Sequence, residues 1–368
     1  MKDIFYMKKA IEIAKLGKFT TYPNPNVGCI IVKNSKIVGK GWHKKYGKHH
    51  AEIYAINMAK EHARGSTAYV TLEPCCHYGN TPPCCKAIFL AGISKVVIAT
   101  KDPNPKVNGS GILWLKKNGI SVKEGVLENE AKCINKGFFK RMQQGIPWIR
   151  LKLAMSIDGR SSLQNGKSKW ITCKKSRIDV QYFRAKSDAI LSTSNTILKD
   201  NPSLNVRYNE LNYKKLKSYN IDKKRQPVRI IIDSKNKLTP FNKFINTKGK
   251  IFLIRVKYDN FIWPKHVRQL LIPFSKKRIN LNHLFLTLGK LKINNVWIES
   301  GPTLSGSLLK MKLFDELIIY IAPKLFGHYS KPLCFLEKYS EISKTPKFFF
   351  SNIQKIDSDI RITLKKKQ

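Results

Sequence analysis

The sequence predicts an α/β protein built as two domains, and three observations carry that expectation. Its 368 residues exceed one average domain and suffice for two cores. Short apolar runs alternate with amphipathic helical stretches along the chain, the pattern of layered α/β units. At Gln143-Gln144-Gly145-Ile146-Pro147 a polar helix end meets Gly and Pro before a fresh apolar strand, which sets the domains at residues 1–145 and 146–368. With 42% hydrophobic and 10% aromatic residues, general disorder is excluded.

The elements follow in order. An amphipathic helix over residues 3–16 leads into the loop Thr20-Thr21-Tyr22-Pro23-Asn24-Pro25-Asn26 and an apolar strand at 27–32, whose hairpin partner lies at 37–41. A helix at 50–63, a strand at 68–72, a helix opened by proline at 82–91 and a strand at 95–99 come next. A helix at 109–117 and a strand at 121–124 complete an α/β/α unit with right-handed crossovers. Past the boundary, strands are expected at 148–154, 189–191, 228–233, 251–256, 295–299 and 316–321, and helices at 173–185 and 305–311. The Asn/Lys-rich stretch 209–224 reads as an insertion loop, residues 365–367 as a frayed end, and no internal repeat is present.

The formal net charge of +45 raises nucleic acid as a partner. Of the 69 basic residues, however, 56 are Lys and 13 are Arg, whereas phosphate and base recognition recruits the bidentate fork of Arg. The excess is also spread over both halves, without a basic arm or stripe; clusters such as Lys214, Lys215, Lys217 and Lys223, Lys224, Arg225 read as loops. We therefore read the charge as a compositional taste for Lys, with a small anionic substrate and no nucleic acid as the expectation. No apolar run approaches the ~20 residues of a membrane span, and the first residues lack a signal-peptide apolar segment, so a cytoplasmic enzyme is expected. Assembly into a homo-oligomer is left open.

Four of the eight cysteines fall close together, as Cys75-Cys76 and Cys84-Cys85, which in a cytoplasmic chain points to metal or catalysis rather than disulfides. With His50-Ala51-Glu52 upstream, one imidazole and two thiolates suit tetrahedral Zn²⁺ with one position kept for water. His50 and Cys84 should each stand at a helix start, where free amides and the dipole favour anions. Glu52 heads the helical row Glu52, Ile56, Ala59, Ala63, which should face the core, and a buried carboxylate calls for a task such as moving the proton of an activated water. Cys76 and Cys85 are alternative donors, although an adjacent pair offers one side chain comfortably; His49 and His77 read as loop histidines and Cys29 as core.

His-x-Glu followed by Pro-Cys is the zinc deaminase signature. Here Pro74-Cys75 and Pro83-Cys84 are more widely spaced, and this longer form resembles the deaminase half of the bifunctional riboflavin-biosynthesis deaminase/reductases. Pro23-Asn24-Pro25-Asn26-Val27-Gly28 matches the same family, its amides contacting the pyrimidine. The resemblance implies a cytidine-deaminase-like α/β/α sandwich, one Zn²⁺ per chain on His50, Cys75 and Cys84, and Glu52 as catalytic proton shuttle. The reaction implied is hydrolytic deamination of a diamino-phosphoribosylamino-pyrimidinone.

The second half lacks Gly-x-Gly-x-x-Gly, so a Rossmann site is not indicated. It offers the strand and turn Leu151-Lys152-Leu153-Ala154-Met155-Ser156-Ile157-Asp158-Gly159, where Asp158 reads as a turn residue. It also offers Val296-Trp297-Ile298-Glu299-Ser300-Gly301-Pro302, whose glycine turn and helix start could cradle a pyrophosphate. With Ser168-Lys169-Trp170-Ile171-Thr172, Asp200-Asn201-Pro202-Ser203-Leu204-Asn205-Val206-Arg207 and Ile232-Asp233-Ser234, these segments resemble the reductase half of that family. The resemblance implies a dihydrofolate-reductase-like α/β domain that uses NADPH to turn the ribosyl group of the deaminated product into ribityl. NADPH would contact Ala154, Trp170, Thr196, Asp200, Ser234 and Gly301, Pro302, Thr303, Leu304, Ser305, Gly306 and Ser307. Ser168, Arg184, Leu204, Arg207 and Glu299 would hold the phosphoribosyl substrate, with the two arginines and the serine forming a phosphate clamp. Two departures adjoin the nucleotide site: Ser192-Thr193 stand where the family often has Val-Gly, and Asn201 where a second Asp is frequent. A tRNA-editing zinc deaminase and a zinc-stabilised structural protein with a fourth donor, Cys85 or His77, are the alternatives.

Overall fold

The computed structural model describes residues 2–79, 82–105, 107–211, 219, 225–275 and 278–367. They form two compact units that divide between Ile146 and Pro147. In the first, α1 (Lys2–Ala14) runs into a 3₁₀ turn and precedes the hairpin β1 (Gly28–Lys33) and β2 (Lys36–Trp42). Then come α2 (Ala51–Ala59), β3 (Thr67–Val70), α3 (Cys84–Leu90), β4 (Lys95–Ile98), α4 (Ser110–Lys117), β5 (Ser121–Lys123), α5 (Glu128–Ile134) and α6 (Lys136–Gln144). The strands order as β2-β1-β3-β4-β5, antiparallel around β1 and parallel from β3 onward.

Strand alternation splits the apolar residues of this sheet between two cores. Cys29, Ile31 and Val70 pack under α2, α3 and α4, while Ile30, Val32, Tyr69 and Val97 pack against α1 and α5. The sandwich expected from the sequence is therefore present, with Cys29 in its core. Helix α2 lies unusually close to the hairpin because alanines meet glycines. A Cβ on Gly41 would fall 2.1 Å from the Ala51 carbonyl, and one on Gly39 2.3 Å from that of Ala55.

The second unit contains β6 (Trp148–Ser156), β7 (Arg160–Ser162), α7 (Lys174–Lys186), β8 (Ala189–Thr193), α8 (Ser194–Asp200), β9 (Val228–Ile232), β10 (Ile251–Arg255) and β11 (Val267–Leu271). It continues with β12 (Phe274–Ser275), β13 (Arg278–Ile279), α9 (Leu281–Lys290), β14 (Asn295–Glu299), α10 (Pro302–Lys310), β15 (Glu316–Ala322), β16 (Lys331–Pro332), β17 (Phe348–Ile356) and β18 (Asp359–Lys366). Among the described residues nine strands form one sheet, β11-β10-β9-β8-β14-β6-β15-β18-β17. The first seven run parallel, β18 runs antiparallel to β15, and β17 pairs antiparallel with β18. Central strands such as β8 and β14 carry continuous apolar runs, residues 189–191 and 296–298, as strands covered on both faces do.

Several expectations need correction. The sequence reading missed α8, α9, β11 and the terminal hairpin β17–β18. Residues 365 and 366 are not frayed: Lys365 pairs with Phe349 and Lys366 with Phe348. Arg225 lies in a loop as expected, and there it donates to the carbonyls of Ala185 and Ser187. The inserted stretch 209–224, with its lysine clusters, lies mostly outside the described residues. Among those residues no helix is long and apolar enough to cross a membrane.

The close seat of α2 is testable. Gly41→Ala should lower the stability of the first unit by about 1–3 kcal/mol, since the methyl group has nowhere to go, and a urea melt would register the shift.

Candidate functional site

The first collection of side chains lies where three elements begin or end. His50 is the extended residue that caps α2, Cys84 opens α3 behind Pro83, and Cys75 follows the run-out of β3. His50 Nδ1, Cys75 Sγ and Cys84 Sγ all lie within 4.8 Å of one another. Nδ1 stands 3.3 Å from Cys84 Sγ and 3.6 Å from Cys75 Sγ, and the Cys84 amide donates to Cys75 Sγ at 3.4 Å. Tetrahedral zinc bonds would set a nitrogen and a sulfur about 3.6 Å apart, so the donor set fits the metal.

The charges agree with that fit. A hydrogen bond from Cys84, with His50 adding to it, pulls the Cys75 thiol down to about 4, while the same bond and burial hold the Cys84 thiol well above its ordinary value. The cluster thus favours the thiolate on Cys75, the form in which a cysteine binds metal. Glu52 is 3% exposed, and its Oε2 is buried without a hydrogen-bond partner among the described residues. Burial above all pushes its carboxyl upward. This is an acid-base group held out of water beside the donors.

The second cysteine of each pair turns elsewhere. Cys76 Sγ meets Ser110 Oγ at 3.1 Å, and Cys85 Sγ donates to the carbonyls of Pro74 and Gly111. Neither these nor His49, which lies edge-on to Tyr54, nor His77 joins the cluster. Among the described residues there is no fourth donor, so the closed structural site considered from sequence is not formed.

Sequence reasoning missed His43 and Asp102. His43 is buried, which drives its pKa down to about 4, and the neutral ring donates through Nδ1 to the His49 carbonyl while Nε2 accepts from Asn24 Nδ2 at 3.2 Å. Its ring also stands edge-on to His50. The Asn24-Pro25-Asn26 loop is pinned from its other end, where Asn135 and Asn26 exchange hydrogen bonds. Asp102 is buried too, and its carboxyl is pushed up to about 7 by that burial, with the Glu73 and Cys75 charges adding to it. A His inside a Gly-Trp-His-Lys stretch and an Asp before a proline carry no periodic signal.

The second collection gathers at the carboxyl ends of the parallel strands, where open α/β sheets place their ligands. Glu299 ends β14 and takes a bidentate pair from Arg184 of α7, Nε to Oε1 at 2.6 Å and Nη2 to Oε2 at 2.9 Å. Arg184 Nη1 donates to the Asn205 carbonyl. Burial raises the Glu299 pKa, but Arg184 outweighs it and brings the carboxyl down to about 2, helped by Lys152 and Trp297. Lys152 lies beside Glu299 on β6, and burial lowers its own pKa. A lysine between Leu151 and Leu153 was the available signal for this residue. Of the residues expected to clamp a phosphate, Arg184 bonds to Glu299 and the Asn205 carbonyl, and Arg207 pairs with Glu210 at 2.5 Å.

Other expected residues divide by geometry. Thr196 lies in the first turn of α8, its amide bonded to Thr193 Oγ1. Trp170 is exposed, with the Arg177 guanidinium 4.4 Å from its ring centroid. Lys169 Nζ donates to the Asp200 carbonyl, and Ser234, Ala154 and Ser168 are half-buried. Leu204 is buried with φ 46°. Gly301 has open space where a Cβ would be and caps α10, leaving the Thr303 and Leu304 amides at the helix start. Gly306, by contrast, is filled: a Cβ there would fall 1.8 Å from the Phe335 carbonyl. Ser305 points inward to Ser300, and Ser307 meets Arg278. Of the two glycines of this turn, then, Gly301 has open space beside it and Gly306 does not.

Both departures from the family pattern have local reasons. Ser192 is buried and donates to the Glu299 carbonyl at 2.7 Å, and Asn201 has φ 41°, a left-handed position that Asn tolerates. Asp158 proves more than a turn residue, since its carboxylate accepts from the Phe326 and Gly327 amides.

The family described as the RibD C-terminal domain matches residues 147–362, and the cytidine and deoxycytidylate deaminase zinc-binding region matches residues 1–100. The riboflavin biosynthesis protein RibD of Buchnera aphidicola subsp. Baizongia pistaciae is 58% identical over 100% of this chain and 99% of its own. The chain belongs to the RibD family. Acinetobacter baumannii RibD, form 1, superposes with TM-score 0.90 at 40% identity, covering 100% of this chain and 99% of that one. A diaminohydroxyphosphoribosylaminopyrimidine deaminase/5-amino-6-(5-phosphoribosylamino)uracil reductase from Thermotoga maritima does so with TM-score 0.86 at 33% identity and the same coverage. The chain is therefore an enzyme of riboflavin biosynthesis with a deaminase and a reductase domain, whose cofactors are Zn²⁺ and NADPH.

The Arg184–Glu299 pair has an acid signature. Because the folded carboxyl titrates near 2 rather than at its ordinary 4.5, the pair's contribution is complete above that ordinary value and is lost as pH falls toward 2. Glu299→Gln should flatten the acid unfolding of the second unit across that window. Arg184→Met, which strands the carboxylate, should cost about 3–5 kcal/mol at pH 7 in a denaturant melt.

Proposed function

We propose that residues 1–145 deaminate a diamino-phosphoribosylamino-pyrimidinone hydrolytically and that residues 146–368 reduce the ribosyl group of the product to ribityl. The observation that carries the first step is the three-donor cluster with an unpartnered, buried Glu52 Oε2 beside it. His50, Cys75 and Cys84 hold the metal, which when bound supplies an activated water; NADPH supplies the hydride of the second step. Glu52 Oε2 takes one proton of that water and passes it to the ring nitrogen, then carries the second, from the hydroxyl newly added to the pyrimidine carbon, to the leaving amine. Its dry setting favours a group that must both accept and return a proton. His43, by fixing Asn24, presents the loop whose amides meet the pyrimidine.

In the second step the protein's task is orientation. Thr196, Asp200, Ser234, Trp170, Ala154 and the open amides of Thr303 and Leu304 hold the cofactor. Ser168, Leu204, Arg207 and Glu299 hold the substrate, with Arg184 acting through Glu299 and the Asn205 carbonyl. The match of the whole second unit to the reductase-side family supports this reading over a tRNA editor, for which that unit would have no task. The eight free cysteines suit a reducing, cytoplasmic setting.

The test is a coupled assay with the pyrimidine ribotide, zinc and NADPH. Glu52→Gln should cut ammonia release by about 10²- to 10⁴-fold and leave NADPH oxidation by the deaminated ribotide intact. Stripping zinc with a chelator should likewise stop the first step alone. A wild-type protein that binds zinc and releases no ammonia would overturn the assignment.

A further inference from the structure

The residue just before the Pro74-Cys75 turn is a buried carboxylate that neither the donor set nor the proton shuttle uses. Glu73 is 3% exposed, and its two oxygens accept four backbone N–H bonds from one segment. Oε2 takes those of Asp102 at 3.1 Å and Gly109 at 2.9 Å; Oε1 takes those of Gly111 at 2.9 Å and Ile112 at 3.3 Å. Three of these amides belong to the cap and first turn of α4, where unpaired donors collect. The fourth, from Asp102, lies well upstream of the helix, so the carboxylate does more than cap it.

Other contacts close the same junction. Gly111 lies so near the Pro74 carbonyl that a Cβ on it would fall 2.1 Å away. Cys85 Sγ donates to the Pro74 and Gly111 carbonyls, Cys76 Sγ meets Ser110 Oγ, and the Cys85 amide donates to the Cys75 carbonyl. The turn at 73–76 and the segment at 102–112 are thereby one piece, and Cys75 sits in the middle of it.

We propose that Glu73 is a positioning residue for the deaminase step: it holds the Cys75 ligand and the Asp102-bearing segment in fixed register, so that donor and neighbouring wall keep one geometry. The inference rests on the deaminase reading above. A carboxylate is an acceptor at every lone pair, whereas a glutamine of the same shape turns an NH₂ toward two of the four donors. Glu73→Gln therefore removes two of the four bonds without removing the volume. Outer partners of metal ligands commonly matter by about ten- to a hundredfold.

In the full-length, zinc-saturated protein, Glu73→Gln should lower kcat for ammonia release by about ten- to a hundredfold with KM little changed. Zinc should stay at one per chain, and NADPH oxidation by the deaminated ribotide should keep its wild-type rate. In chelator-stripped protein, amide exchange should quicken at Asp102, Gly109, Gly111 and Ile112 but not along β3. Glu73→Asp should recover part of the rate, and Gly111→Ala, which opens the junction from its other side, should lower it again. Wild-type deamination by Glu73→Gln with unchanged exchange would sink the proposal. So would a loss of deaminase, reductase and melting transition together, which would make Glu73 a residue of general folding. If the glutamine variant does not fold, Glu73→Asp and Gly111→Ala decide by the same readings. A wild-type protein that releases no ammonia defeats the deaminase reading instead, and the exchange comparison in metal-free protein then decides the role of Glu73.

Discussion

The first unit depends on how closely α2 can approach the β1–β2 hairpin. Alanines 51, 55 and 59 on the helix and glycines 39 and 41 on the strand remove the side chains that would hold the two backbones apart. That contact fixes the axis of α2, and with it the position of His50 at its cap and Glu52 in its first turn. A helix seated a side chain further out would carry both residues away from the two sulfurs. Close packing thus sets where His50 and Glu52 stand, because interiors at crystal-like density leave little room to relax.

The second unit places its polar groups differently. Parallel strands supply apolar interiors and leave their carboxyl ends to hold charge, so Glu299, Lys152 and Arg184 meet at the edge of a dry sheet. Isolated ions there would be costly, and the bidentate Arg184–Glu299 pair offsets that cost while tying β14 to the turn at Asn205. Ser192 and Asn201, which look like departures from the family in the sequence, are the residues that make this local backbone workable.

Chemistry was easier to read from the sequence than packing. The zinc donors and Glu52 stand in short motifs whose residue types are dictated by the metal, and the structure brings them together. Strands such as β14 announced themselves through continuous apolar runs. By contrast β17 has almost no buried face, so no alternation marked it, and the seating of β18 beside β15 joins segments about forty residues apart, which local pattern does not encode. The periodic leucines of α9 and its Asn280 cap were a visible signal left unread. Gly301 and Gly306 look alike in a sequence, while in the structure one has open space beside it and the other a carbonyl. Glu73, His43 and Asp102 were hidden because their partners are backbone groups or distant loops.

The terminal hairpin also bears on the order in which the second unit can form. Asp359 accepts from the Cys173 amide at the cap of α7, and Arg361 joins Tyr320 on Asp179 within that helix. Strand β18, near the end of the chain, is therefore what anchors the helix that carries Arg184. These contacts span nearly two hundred residues, and loop-closure entropy must be met before they reward the chain. During synthesis, the helix that carries Arg184 lacks these anchors until β18 has left the ribosome.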